Sequence, residues 1–229
     1  MSSKFDISDA LKMALASQMS YEPLQPGCIR IEAENHSVDL WKCKDECLIA
    51  FRGTNDVRDW LADADIVRVK RIGCKVHRGF DHGERLLHYR LTNELPQCSR
   101  YWITGHSLGG ALATLYAVRL ADAGLNVAGL YTFGSPRVGC RCFAQHADYV
   151  LSDRHFRVVH GNDIVPRVPR PIRYRHCGQL CYLDRNNAVR FDPSFLSVEI
   201  DRLLGYRFDL VRDHFMESYF RSLYSVRNA

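Results

Sequence analysis

An apolar run from Tyr101 to Thr104 leads straight into Gly105-His106-Ser107-Leu108-Gly109-Gly110, and a helix-like run from Ala111 to Ala123 follows. A Gly-x-Ser-x-Gly pentapeptide in that setting places its serine on a sharp strand-to-helix turn, with Oγ exposed above a sheet edge. Gly105 and Gly109 are then required, because a Cβ on either would collide with the strand or helix passing beside the turn. The helix start behind Ser107 also favours negative charge developing there. A chance match in a glycine-containing loop is the competing reading, and the flanking runs and Gly110 argue against it.

The rest of the chain alternates in the same way. Cys28 to Glu32, Glu46 to Phe51, Val127 to Phe133 and His155 to His160 read as strands, and Ser37 to Lys42 alternates polar with apolar. Ile7, Ala10, Leu11, Ala14 and Leu15 share one face of a first helix, and Phe80 to Leu95 forms another, stopped by Pro96. Asn55 to Ile66 has helical spacing, with Val57, Trp60, Leu61 and Ala64 on one face and aspartates on the other. Ile172 to Arg175 and Gln179 to Leu183 are expected to form a hairpin around Cys177-Gly178, and the chain from Phe195 onward is mainly helical. Strands alternating with helices imply an α/β fold with a largely parallel sheet, and 229 residues fit one domain spanning 1–229.

Composition narrows the class further. Hydrophobic residues at 46% and charged residues at 25% are ordinary for a globular chain, and no stretch has the apolar length of a membrane span. Asp6, Asp9 and Lys12 interrupt any apolar signal core near the N-terminus, so the expected location is cytoplasmic, with non-classical export as the alternative. Nine cysteines, an odd count, are then expected as reduced thiols, and the Asn35-His36-Ser37 sequon as a plain loop. A net charge of +5 is too modest to imply a nucleic-acid partner. Cys43-x-x-x-Cys47, and Cys177-x-x-x-Cys181 with His176, are spaced one residue too long for a zinc knuckle and split between segments, so no metal site is expected.

A serine needs a base, and the base needs an orienting acid. On this fold the chain order is serine, acid, histidine. Asp163 sits just after a strand, in Gly161-Asn162-Asp163, where open α/β sheets place their ligands; a turn-capping aspartate is the alternative. Only His176 and His214 follow it. The residues favour His214, with His176 read as a structural histidine bonding a backbone carbonyl.

Six stretches, in order, resemble the class 3 lipase family of the α/β-hydrolases. They are Phe51-Arg52-Gly53-Thr54, Val76 to Phe80, Gly105 to Gly110, Thr132 to Gly139, Arg157 to Pro166, and His214-x-Met216-x-x-Tyr219-x-x-x-Leu223. The resemblance implies an α/β-hydrolase fold with a mostly parallel central sheet and flanking helices. It implies Ser107 as nucleophile, Asp163 as acid and His214 as base, with His176 outside the triad. Backbone N–H groups of Thr54 and Leu108 would form the oxyanion hole. Residues 55–66 match the family's lid in position, with Val57, Trp60 and Leu61 as lid or substrate contacts; a permanently packed surface helix is the alternative. The aspartates of that segment should weaken docking on anionic lipid. Arg167, Arg170, Arg173 and Arg175 are read as a solvated rim rather than a headgroup site. The implied activity is a cofactor-independent serine hydrolase acting on acylglycerols or phospholipids, in contact with a lipid surface. A small-ester or feruloyl-type esterase, and a catalytically silent binding scaffold, are the alternatives.

Overall fold

The computed structural model describes residues 4–54, 67–205 and 212–228. Helix α1 (Ile7–Met19) is followed by three antiparallel strands, β1 (Cys28–Ala33), β2 (His36–Cys43) and β3 (Glu46–Phe51). A separate two-stranded ribbon of β4 (Arg68–Arg71) and β5 (Cys74–His77) precedes α2 (Arg78–Glu94). Then come β6 (Arg100–His106), α3 (Leu108–Asp122), β7 (Val127–Phe133), α4 (Arg141–Leu151), β8 (His155–His160), β9 (Gln179–Leu183) and β10 (Val189–Phe191). Helices α5 (Phe195–Leu204) and α6 (Met216–Arg227) close the described chain.

The main sheet runs β1-β2-β3-β6-β7-β8-β9-β10. The pairs from β3 through β9 are parallel, so β3, β6, β7 and β8 all end on the same edge. Parallel strands are buried on both faces and read as apolar runs, which is why Glu46–Phe51, Val127–Phe133 and His155–His160 appear at the bounds expected of them. The expected hairpin is corrected: Gln179–Leu183 pairs antiparallel with Val189–Phe191. Arg175 makes only an isolated bridge to Gly139, because prolines at 166, 169 and 171 hold the preceding loop out of a ladder.

Two apolar layers sandwich the sheet. One packs Leu87 and Leu91 of α2, Leu112, Leu115 and Tyr116 of α3, and Phe143 of α4 against Ile49, Phe51 and Ile103. The other packs Leu11, Met13 and Ala14 of α1 and Met216, Tyr219 and Leu223 of α6 against Tyr131, Phe156 and Val158. Helix α3 is buried from Gly109 through Val118, as a helix directly behind a serine turn must be when it crosses the middle of the sheet. In α1 the apolar face is rotated from its expected position: Leu15 is exposed, while Met13 and Ser17 are buried. The Ser17 hydroxyl lies 2.8 Å from that of Thr104, which donates to the Tyr131 carbonyl, so α1 is tied to β6 by a polar link. No helix among the described residues is long and apolar enough to cross a membrane.

Candidate active site

Ser107 stands between β6 and α3 at φ 58°, ψ −129°, a left-handed conformation that a non-glycine residue adopts only when its surroundings impose it. The surroundings are tight. A Cβ on Gly105 would lie 2.3 Å from the Gly109 carbonyl oxygen, and one on Gly109 would lie 2.1 Å from the Phe51 carbonyl oxygen. The turn therefore closes only with glycine at both positions.

His214 lies in the 3-10 turn Arg212–His214, which leads into α6. Its Nδ1 is 2.9 Å from both carboxylate oxygens of Asp163, and both side chains are fully buried. Asp163 also accepts from the Val165 N–H at 2.9 Å and from the Tyr219 hydroxyl at 2.5 Å. Burial, and then the Asp163 charge, raise the Tyr219 phenol well above its ordinary range, so it stays a donor. Gly134, at the end of β7, makes room for this pair: a Cβ there would lie 2.6 Å from Asp163 Oδ2 and 3.0 Å from the His214 ring. The remaining ring nitrogen, His214 Nε2, and the Ser107 hydroxyl are buried, and neither has a hydrogen-bond partner among the described residues.

A second histidine was present in the pentapeptide but carried no role in the sequence reading. His106 Nε2 is 2.6 Å from the His214 carbonyl oxygen, and its Nδ1 is 2.9 Å from the Tyr21 hydroxyl. The carbonyl can only accept, so His106 donates from Nε2 and receives the Tyr21 proton at Nδ1. Its ring lies 4.5 Å from that of His214. Burial, and next the proximity of His214, hold His106 well below its ordinary pKa, and it is neutral. The backbone N–H of Gly53 bonds the Tyr21 oxygen. Tyr21 therefore joins the end of β3, the serine turn and the histidine loop.

Thr54, partly exposed, follows directly on Gly53, where a Cβ would lie 3.2 Å from Ser107 Cβ. Leu108 is the first residue of α3, where backbone N–H groups have no helical acceptor. The structure therefore brings Ser107, Asp163, His214 and Leu108 together, with Thr54 on the adjoining strand end. Val57, Trp60 and Leu61, with the whole candidate lid 55–66, lie outside the described residues. His176 lies elsewhere, its Nε2 2.7 Å from the Pro166 carbonyl oxygen.

The thiol expectation is corrected. Cys74 and Cys142 form a disulfide between β5 and α4, 68 residues apart in sequence, and the other described cysteines are free. A bridge of this kind belongs to an oxidising compartment. Beside it, Glu84 is fully buried and holds Arg71 at 2.6 Å and Arg119 at 2.6 Å, while Asp81 takes Arg71 at 2.9 Å. Burial alone would raise the Glu84 carboxyl, but hydrogen bonds from Arg119 and Arg71 outweigh it and hold the acid below its usual range.

Two buried histidines, His106 and His155, and the half-buried His176 set an acid limit on stability. Burial depresses His106, His155 and His176, with charges from His214, Arg157 and Arg137 adding to the effect; His155 falls to about 3. Each is neutral when folded and takes up a proton on unfolding below its unfolded value of about 6.5. Their contribution is complete above that pH and is lost as pH falls from there through each folded value, which for His155 is about 3. Neither ring nitrogen of His155 has a partner among the described residues. His155→Leu is therefore expected to flatten the acid limb by about 1.4 kcal/mol per pH unit, measured by urea titrations between pH 7 and pH 4. An unchanged slope would refute the assignment.

A mostly parallel sheet with helices on both faces, and a serine turn at its carboxyl edge, define an α/β-hydrolase. The family model described as lipase (class 3) matches residues 48–172, more than half of the chain, and the chain belongs to that family. It is 36% identical over 131 residues to a secreted mono- and diacylglycerol lipase A of Penicillium cyclopium, covering 53% of this chain and 42% of that protein. It is 37% identical over 156 residues to a lipase of Rhizomucor miehei, covering 61% and 42%. The chain thus spans about half the length, or less, of these curated relatives. Among solved structures, the Rhizomucor miehei triacylglyceride lipase superposes with a TM-score of 0.65 at 26% identity, covering 81% of this chain and 82% of that one. Another, a triacylglycerol lipase described as having a serine protease triad as its catalytic centre, gives 0.68 at 25% identity, covering 91% and 90%.

The cytoplasmic expectation is overturned. Relatives from Penicillium cyclopium, Penicillium camembertii and Fusarium solani are named as secreted, and the Cys74–Cys142 bridge agrees with them. Asp6, Asp9 and Lys12 belong to α1 and its cap, a core helix of the fold, so their charges report on its packing and not on export.

Proposed function

We propose that this chain hydrolyses the carboxylic esters of acylglycerols through an acyl-enzyme, working as one domain with residues 55–66 as its lid. The observation that carries the reading is the buried Asp163–His214 pair set beside Ser107 on its strained turn. In the proposed cycle Ser107 Oγ attacks the acyl carbonyl carbon while His214 Nε2 takes its proton. Asp163 holds the Nδ1 proton, which keeps Nε2 a base and stabilises the imidazolium that forms. The N–H groups of Thr54 and Leu108 bind the oxyanion. His214 returns the proton to the departing alcohol. Water then attacks the acyl carbon by the same route and releases a carboxylic acid. The relatives named as acylglycerol lipases supply the substrate class.

The test is titration of fatty acid released from dispersed mono-, di- and triacylglycerols, beside a chain-length series of p-nitrophenyl esters. Glyceride hydrolysis that rises above the solubility limit is the expected result. Activity confined to dissolved short esters would replace this reading with an esterase. Folded protein inactive on every ester would leave a binding scaffold.

A further inference from the structure

Helix α5 is amphipathic the wrong way round. Its inward face is largely polar. Asp201 is buried, accepting from the Tyr182 hydroxyl at 2.8 Å and from the Arg185 N–H at 3.2 Å. Arg202 Nε donates to the Gly161 carbonyl at 3.0 Å, and the Arg202 carbonyl accepts from Asn162 at 3.4 Å. Val198, packed with Val159 and Tyr182, is the apolar contact on that side. The outward face carries Phe195 (80% exposed), Leu196 (68%), Ile200 (48%), Leu203 (73%) and Leu204 (62%). Residues 196, 200, 203 and 204 follow one another at helical spacing, so they form a single strip. Exposed apolar residues scattered singly need no explanation, but five on a ten-residue helix do.

We propose that this strip inserts into a lipid surface and holds the active site against it. The inference rests on the ester-lipid reading of the site. Three observations favour lipid as the occupant. First, the polar ties of α5 go to Gly161 and Asn162, immediately before Asp163, so its C-terminal end is anchored at the carboxyl edge of the sheet, where Ser107 and Asp163 stand. Phe215, next to His214, is also exposed on that loop. Second, the charges on the helix are engaged: Arg202 pairs with Glu199 at 2.7 Å, and Asp201 is buried. The strip therefore offers no directional group for a protein partner to read, and a fluid apolar phase needs none. Third, Arg185 and Arg190 flank the helix, Arg190 bonding Ser197 and Arg185 lying 3.6 Å from Asp201. Cations beside a Phe/Leu strip match the chemistry of an interfacial helix. The polar inward ties hold the helix to the body, so insertion does not require it to unfold.

The experiment measures vesicle binding with the Ser107→Ala protein, so that turnover plays no part and failure of the hydrolase reading is scored separately. The probes are vesicles of phosphatidylcholine alone and of equal parts phosphatidylcholine and phosphatidylglycerol, with binding read by sedimentation and by gel filtration of the free protein. The expected result is binding to both, weakened at least about tenfold by Leu203→Glu or Leu196→Glu at an unchanged melting temperature. Both positions are exposed, so neither substitution touches the core. Binding that the glutamate variants leave unchanged, or that appears only on the anionic vesicles, overturns the proposal. So does a dimer in gel filtration that Leu203→Glu dissolves while vesicles go unbound, since the strip would then face a second copy of this chain.

Discussion

Ser107→Ala is expected to lower kcat on any ester by about a million-fold while the protein stays folded. The size follows from the role: without Oγ there is no acyl-enzyme, and what survives is the rate that oxyanion donors and substrate binding give to attack by water. The stability side has a definite sign. Ser107 Oγ is buried with no hydrogen-bond partner among the described residues, so removing it relieves an unsatisfied polar group. The melting temperature should hold or rise slightly. The turn itself does not depend on the hydroxyl. It is fixed by Gly105 and Gly109, and by the Ser107 N–H donating to the Phe133 carbonyl at 2.9 Å. The check is steady-state hydrolysis of a p-nitrophenyl ester beside thermal melting. A variant within about tenfold of the parent would remove Ser107 from the mechanism.

Much of this arrangement was legible in the residues, for reasons that differ from place to place. The serine turn was readable because its glycines answer to sterics within a few residues of each other. The central strands were readable because parallel strands buried on both faces carry mostly apolar runs, even where β8 includes Arg157. The order serine, acid, histidine left two histidines for one role, and the family resemblance pointed to His214; the fold sets that ring against Asp163 and His176 against the Pro166 carbonyl. Pairings across distance were not readable. Gln179–Leu183 pairs across the Asp184-Arg185-Asn186-Asn187 turn, whose turn residues compete in the sequence with the Cys177-Gly178 break, and Cys74 meets Cys142 from an odd set of nine cysteines. Tyr21 precedes a proline-rich break and gave no signal of its place beneath His106. Periodicity also cannot say which face of a helix turns inward. In α1 the apolar stripe is displaced toward Met13 and Ser17. In α5 the apolar strip faces out, because Asp201 and Arg202 have better partners in Tyr182 and Gly161 than water offers.

Asp163→Asn is the second large effect, about ten-thousand-fold in kcat with KM little changed. The carboxylate accepts from three donors: His214 Nδ1, the Val165 N–H and the Tyr219 hydroxyl. An asparagine has one oxygen to offer them and two N–H groups with nowhere to donate except toward Nδ1. His214 then takes the opposite tautomer, with Nδ1 accepting and the proton on Nε2 directed at Ser107, so it cannot receive the serine proton. Tyr219→Phe separates orientation from tautomer: it removes one donor, leaves the charge and the Nδ1 bond in place, and is expected to cost only about tenfold. The two effects are also distinguished by coupling. Combining Asp163→Asn with Ser107→Ala should add nothing to Ser107→Ala alone, because a misdirected base is irrelevant once there is no hydroxyl to deprotonate. If the double variant were slower than the serine variant by the full Asp163→Asn factor, Asp163 would be acting outside the serine pathway. Its place behind His214 would then be structural.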